Sequence, residues 1–196
     1  MEKIIKSKFL RHLFVAFLTF TCTTGAWSQS KFHIDIDYHY YLGFSENFMG
    51  TTLSRDSYKM GGHAIHVAPR YDISSQWSAG IGIGLDRYTE LDYNTLPVFA
   101  TVRYKALKKF PNAYAFADLG YAIKVGDFTK GFTGSLGVGY THMLSKRFGL
   151  NFQIAYNLKK FSDIPTYIYD IETDNTQFSK GSSTRHSLSL GIGITF

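Results

Sequence analysis

From Lys31 onward, apolar and polar residues alternate with a period of two. Phe32, Ile34, Ile36, Tyr38, Tyr40 and Leu42 take one set of positions, and His33, Asp35, Asp37, His39 and Tyr41 take the other. In an extended chain the two sets face opposite ways. Seven further segments repeat the scheme, at about 60–71, 77–87, 95–106, 113–125, 132–144, 148–159 and 183 to the end. At roughly 3.3 Å per residue and a tilt near 40–45°, segments of about ten to thirteen residues cross the ~25 Å apolar band of an outer membrane. Strands of soluble proteins are nearer 5–6 residues. The pattern predicts an all-β, eight-stranded antiparallel up-and-down transmembrane barrel.

The connectors, at about 45–59, 72–76, 88–94, 107–112, 126–131, 145–147 and 160–182, alternate longer with shorter. Long extracellular loops and tight periplasmic turns, with both termini periplasmic, produce that alternation. A soluble barrel or sandwich gives no reason for it.

Composition agrees. Aromatic residues make up 17% of the chain and charged residues 18%, a strand-rich balance with too little charge for disorder. The single cysteine excludes a disulfide scaffold. Residues 1–28 have the order of a secretory signal peptide: basic Lys3, Lys6, Lys8 and Arg11, apolar Leu13 to Phe20, then small and polar residues with Ala26 and Ser28 before a cut near Ser28. The barrel domain is then 29–196. Acylation at Cys22 is the rival reading, and Thr21 before it fits such a site poorly. Four bases and one acid leave with the segment, so half of the formal +6 charge goes too. The mature chain is only mildly basic, and nucleic acid is not an expected partner.

The last segment reads Leu188-x-Leu190-x-Ile192-x-Ile194-x-Phe196 and ends on phenylalanine. With the eight-segment pattern, it resembles the small eight-stranded outer-membrane barrels typified by the OmpA transmembrane domain and OmpX. The resemblance implies an outer-membrane location and a lipid surround. It also implies that Leu190, Ile192, Ile194 and Phe196 serve as the signal read by the barrel-assembly machinery.

Alternation puts Asp35, Asp37, Asp86 and Asp118 and Arg70, Arg103, Lys105, Lys124 and Lys159 inside the lumen. Charges there need partners or water. Strand direction sorts them into two tiers: Asp35, Asp37, Arg70, Arg103, Lys105 and Asp118 below, and Asp86 level with Lys124 and Lys159 above. Paired tiers give a closed, monomeric barrel with a structural or surface-interaction role and no cofactor. Inward glycines on the third, sixth and eighth segments leave room for the alternative, a small pore or hydrophobic-ligand conduit. His33, Asp35, Asp37 and His39 share one face and could hold a metal, although adjacent bases explain the acids equally well. A lipid-modifying enzyme is the second alternative. His186 and Ser187, adjacent on a strand, face opposite sides and cannot pair directly, and Asp56-Ser57 is a lone dipeptide. His63 and His66 likewise face opposite ways. Outward Tyr40, Tyr71, Trp77, Tyr104 and Tyr156 read as interfacial girdles.

The longest connector, 160–181, is the expected seat of any extracellular ligand. It is locally acidic, with Asp163, Asp170, Glu172 and Asp174 against Lys160 and Lys180. The β-formers from Thr166 to Ile171 predict a hairpin continuing above the membrane.

Overall fold

The computed structural model describes residues 31–56, 58–89, 93–107, 109–170 and 175–196. The expected signal segment 1–28, Ser57, and Ile171, Glu172 and Asp174 of the expected loop lie outside the described residues. Nine strands follow in order: β1 (Phe32–Phe48), β2 (Thr51–Ser54), β3 (Met60–Asp72), β4 (Trp77–Tyr88), β5 (Tyr93–Tyr104), β6 (Ala113–Ile123), β7 (Gly131–Met143), β8 (Gly149–Asp170) and β9 (Asn175–Thr195). Eight of them, β1 and β3 to β9, pair antiparallel with their sequence neighbours, and β9 pairs back onto β1 to close the wall. The hydrogen-bonded register from His33 runs through Arg70, Gly80, Thr101, Asp118, Ser135, Asn157 and Ser187. It returns to β1 at Gly43, ten residues from its start. That stagger accompanies strands tilted about 40° from the barrel axis.

The two faces of the wall differ as the alternation requires. Outward apolar side chains ring the barrel, with Ile81, Leu119 and Leu136 exposed by 68%, 63% and 66%. A continuous apolar belt of this kind is stable in hydrocarbon and not in water. At the terminal end Trp77 stacks on Tyr104 (ring centroids 4.4 Å apart) and Phe148 on Phe196 (6.3 Å), placing aromatic rings, the first pair amphipathic, at one rim of the belt. The inward face holds polar and charged side chains buried to a few per cent or less.

Three local features differ from the alternating pattern. A register shift between Gly43 and Ser45 carries β1 on to Phe48 and turns Glu46 inward. The short β2 pairs with that extension, from Ser45–Ser54 to Phe48–Thr51, where β3 has left β1. Beyond a second shift at Ser162/Ile164, β8 and β9 run as a hairpin up to Asp170–Asn175. The third feature corrects the expectation of space beside inward glycines. A Cβ on Gly82 would collide with the ring of Phe99, on Gly84 with His66, on Gly139 with Tyr114 and on Gly191 with His39. The missing side chains are the seats of neighbouring rings, so the volume is filled.

Candidate functional site

The lumen is the most chemically charged part of the barrel, and strand alternation builds it. At the terminal end Asp35, wholly buried, lies between two guanidinium groups. Arg70 Nε donates to its Oδ2 at 3.0 Å, and Arg103 Nη2 lies 2.9 Å from the same oxygen. Arg103 also approaches Asp37 Oδ2 at 3.6 Å, and its guanidinium lies over the Tyr114 ring, 4.6 Å from the centroid. Asn151 Nδ2 donates to Asp37 Oδ1 at 3.2 Å. Arg70 reaches further, to Ser78 Oγ at 3.0 Å and Asp72 Oδ1 at 3.1 Å, and His33 Nε2 lies 3.1 Å from the other Asp72 oxygen. Two acids and two bases at the centre of this tier balance one another.

Above them lies a histidine layer. His39 Nδ1 is 3.3 Å from Ser189 Oγ, and the His39 and His66 rings are 4.9 Å apart. His66 Nε2 contacts Asp86 Oδ1 at 2.8 Å, Thr95 Oγ1 donates to Asp86 Oδ2 at 3.2 Å, and Lys159 Nζ donates to the same oxygen at 3.3 Å. At the loop end a third ion pair joins directly opposed residues of the neighbouring strands β1 and β9, with Arg185 Nε donating to Glu46 Oε2 at 2.8 Å. Ser183 hydrogen-bonds the other Glu46 oxygen. Tyr88 sits between the upper tiers, with the Arg185 guanidinium 5.4 Å and the Lys159 ammonium 5.9 Å from its ring centroid. Tyr41 stacks on Tyr88, and Phe161 meets it edge-on. Lys159, Arg185 and Asp35 are each 0% exposed.

Six of the nine lumenal charges named from sequence meet directly: Asp35, Asp37, Arg70 and Arg103 in one group, Asp86 and Lys159 in another. Asp118 stands apart, half-buried, with a hydrogen bond from Thr101. Lys105 falls one residue past β5, in the turn at the terminal end, and is half-buried. Lys124 falls one residue past β6 and is exposed, so it is no neighbour of Asp86. Lys124 lies where the chain has left the wall and alternation no longer carries its side chain inward, whereas Lys105 stays within electrostatic reach of Asp72.

Sequence reasoning missed Glu46 and Arg185, and it did not join His66 and Ser189 to the lumenal network. Arg185 is two residues before Ser187 and follows the same period, whereas Glu46 is inward only because of the β1 bulge. In the row His33, Asp35, Asp37 and His39, the two acids share Arg103 while His33 turns to Asp72 and His39 to Ser189, and no metal-holding group occurs among the described residues. His186 and Ser187 take opposite faces. The His186 Nδ1 is 2.5 Å from the outward Tyr156 hydroxyl, while Ser187 is buried in the lumen. The expected assembly residues Leu190, Ile192, Ile194 and Phe196 all lie on the outer face of the closing strand or at its end.

The hairpin base is clasped from outside the wall. Asp163, at φ 58°, bulges out of β8 and its Oδ2 lies 2.6 Å from Lys130 Nζ. The Lys130 hydrogen bond holds this carboxyl below its ordinary range, and Lys180 and Lys124 also favour its ionised form. Asp163 in turn raises the Lys130 ammonium.

No protein-family model matches the sequence, and comparison with curated protein sequences finds no match. Among solved structures, 24 chains match. The outer membrane protein AlkL in lipid bilayers is 14% identical, with a TM-score of 0.48 over 89% of this chain and 93% of its own. The Neisserial surface protein A is 13% identical, with a TM-score of 0.46 over 85% and 96%. OprG from Pseudomonas aeruginosa is 14% identical, with a TM-score of 0.44 over 85% and 96%. The chain is similar to these outer-membrane barrels. Its own closed register and apolar belt make it an eight-stranded barrel of the outer-membrane type.

Proposed function

We propose that this protein is an exported, monomeric outer-membrane barrel with a closed lumen and a structural or surface-interaction role, acting through what its loop end touches. The observation that carries the reading is the stack of buried ion pairs Asp35–Arg70–Arg103, Asp86–Lys159 and Glu46–Arg185. Asp35–Arg103 and Asp86–Lys159 join strands that are not neighbours, so opening a path between them would leave charges unpaired in a low-dielectric interior, a cost of several kcal/mol per ion. With the interior committed to packing, the hairpin is the best candidate contact surface. Its ladder continues to Asp170–Asn175, while the β1–β9 pairing ends at Phe48–Ser183 and the β7 side contributes only the bridge Lys130–Ser162. Strand edges above those points offer backbone groups to an extended peptide or a sugar surface.

Replacing residues 162–179 with a short Gly-Ser turn is expected to leave a barrel that resists unfolding in cold detergent and has lost adhesion to extracellular matrix proteins and glycans. The intact protein is expected to give no steady conductance in planar bilayers. Adhesion that survives the replacement, or that the parent lacks, removes the hairpin from the account. A reproducible open channel turns the reading to a pore.

A further inference from the structure

We infer that the loop end of the β6–β9 side is a binding site for the phosphorylated headgroup of an outer-leaflet lipid, formed by Lys124, Lys130, Lys160 and Lys180. The inference rests on the reading above that the loop end faces outward. Adjacent lysines on β8 have opposite fates. Lys159 is buried against Asp86, whereas Lys160 is exposed on the outer face opposite Thr184 of β9. Lys130 immediately precedes β7 and is bridged to Ser162, Lys124 immediately follows β6, and Lys180 lies opposite Pro165 at the hairpin base. Asp163 pairs with Lys130 at 2.6 Å and lies within electrostatic reach of Lys180 and Lys124, while Lys160 is three residues before it on β8. Among the described residues of this stretch of rim, four lysines therefore face two acids, Asp163 and the exposed Asp127. The acids at 170, 172 and 174 come later in the sequence.

What lies below the lysines identifies the ligand as a lipid and not a free anion. Ile123 and Phe132, next to the strand ends from which Lys124 and Lys130 depart, are outward and exposed by 41% and 37%. The Tyr156–His186 pair, with Phe44 beside both rings, continues the interfacial surface around β8, β9 and β1. A cationic rim directly over an apolar wall matches a lipid with anionic headgroup and acyl chains. Lysine stems can lie along the apolar surface while their ammonium groups reach phosphates. On the β2–β4 side of the rim Lys59 is exposed and the two arginines are directed to specific acceptors. Arg55 is turned back to the Gly43 carbonyl at 3.1 Å, and Arg87 lies 3.5 Å from Asn94.

The test uses the full-length mature barrel in phosphatidylcholine nanodiscs doped with diphosphoryl lipid A or with the same lipid after enzymatic removal of its phosphates. Lipid retained after exchange into detergent is counted by native mass spectrometry. The wild type is expected to retain the phosphorylated form selectively. Changing all four lysines to glutamine should lower that retention by roughly tenfold, while Lys109→Gln with Lys146→Gln, at the opposite end, leaves it unchanged. If the quadruple variant does not fold, Lys124→Gln with Lys180→Gln, both at exposed positions, should still lower retention severalfold. Equal retention of both lipids, or unchanged retention in the folded lysine variants, overturns the inference. Because lipid retention is read without any adhesion partner, failure of the hairpin reading leaves this result intact.

Discussion

Asp86 and Asp118 are both inward aspartates, and their surroundings give them different weights. Asp86 holds the fully buried Lys159 ammonium at 3.3 Å and takes further contacts from His66 and Thr95. Asp86→Ala therefore strands a cation inside the lumen and is expected to destabilise the barrel by about 3–5 kcal/mol. Asp118 makes no ion pair among the described residues, and Asp118→Asn should change stability by less than about 1 kcal/mol because the Thr101 hydroxyl keeps an acceptor. Urea midpoints of both variants in the same detergent check the contrast, and equal midpoints would remove Asp86 from any structural role. The facing of both residues was legible from the period of two. Strand direction also set Lys159 level with Asp86, but the choice among neighbours within a tier was not legible, because side-chain reach decides it: Arg103 runs down to Asp35 and Asp37 although its own strand pairs at Thr101 with Asp118.

At the scale of elements, the strands were readable and their ends were not. The alternating runs locate every membrane-crossing strand, since a face that must meet lipid fixes the parity of all its residues. A bulge reverses that parity without any mark in the hydrophobic pattern, which is why Glu46 was hidden in a presumed loop and why β2 was not foreseen. Inward glycines were read as empty space because the pattern shows the missing side chain and not the ring that covers it. Where β7 meets β8, Gly131 carries both backbone and steric demands: φ is 155°, and a Cβ would collide with the Lys160 carbonyl. Gly126, in the turn before it, has φ 56° with nothing within 4 Å of a Cβ. Gly131→Ala is expected to cost upwards of about 1 kcal/mol and to expose the hairpin base to protease, whereas Gly126→Ala carries the backbone strain alone and costs less. Limited proteolysis and urea midpoints separate the two, and identical behaviour would mean the close approach at Lys160 is not maintained.

For the whole molecule the decisive contact is the seam, because β1 and β9 come from opposite ends of the barrel sequence. Their pairing runs from Asp35–Thr195 to Phe48–Ser183, and reciprocal backbone hydrogen bonds between Ile34 and Phe196, 2.8 and 3.1 Å, finish it at the terminal end. Until the last strand arrives, β1 and β8 each present an unpaired edge, and an open edge in hydrocarbon leaves backbone groups without partners. Closure is thus a long-range step that local structure cannot supply. Phe196 acts twice here: its backbone completes the seam, and its exposed ring stacks on Phe148 at the rim. Phe196→Ala preserves the backbone bonds and removes the ring. If the ring only packs, the loss is a partly exposed contact and purified barrel should refold in detergent with a near-normal yield. If the ring is also presented to the assembly machinery, outer-membrane yield in cells should fall severalfold while export to the periplasm is unchanged. We expect both results together, normal refolding in vitro and poor assembly in cells. Equal wild-type and variant amounts in outer-membrane fractions would confine Phe196 to packing.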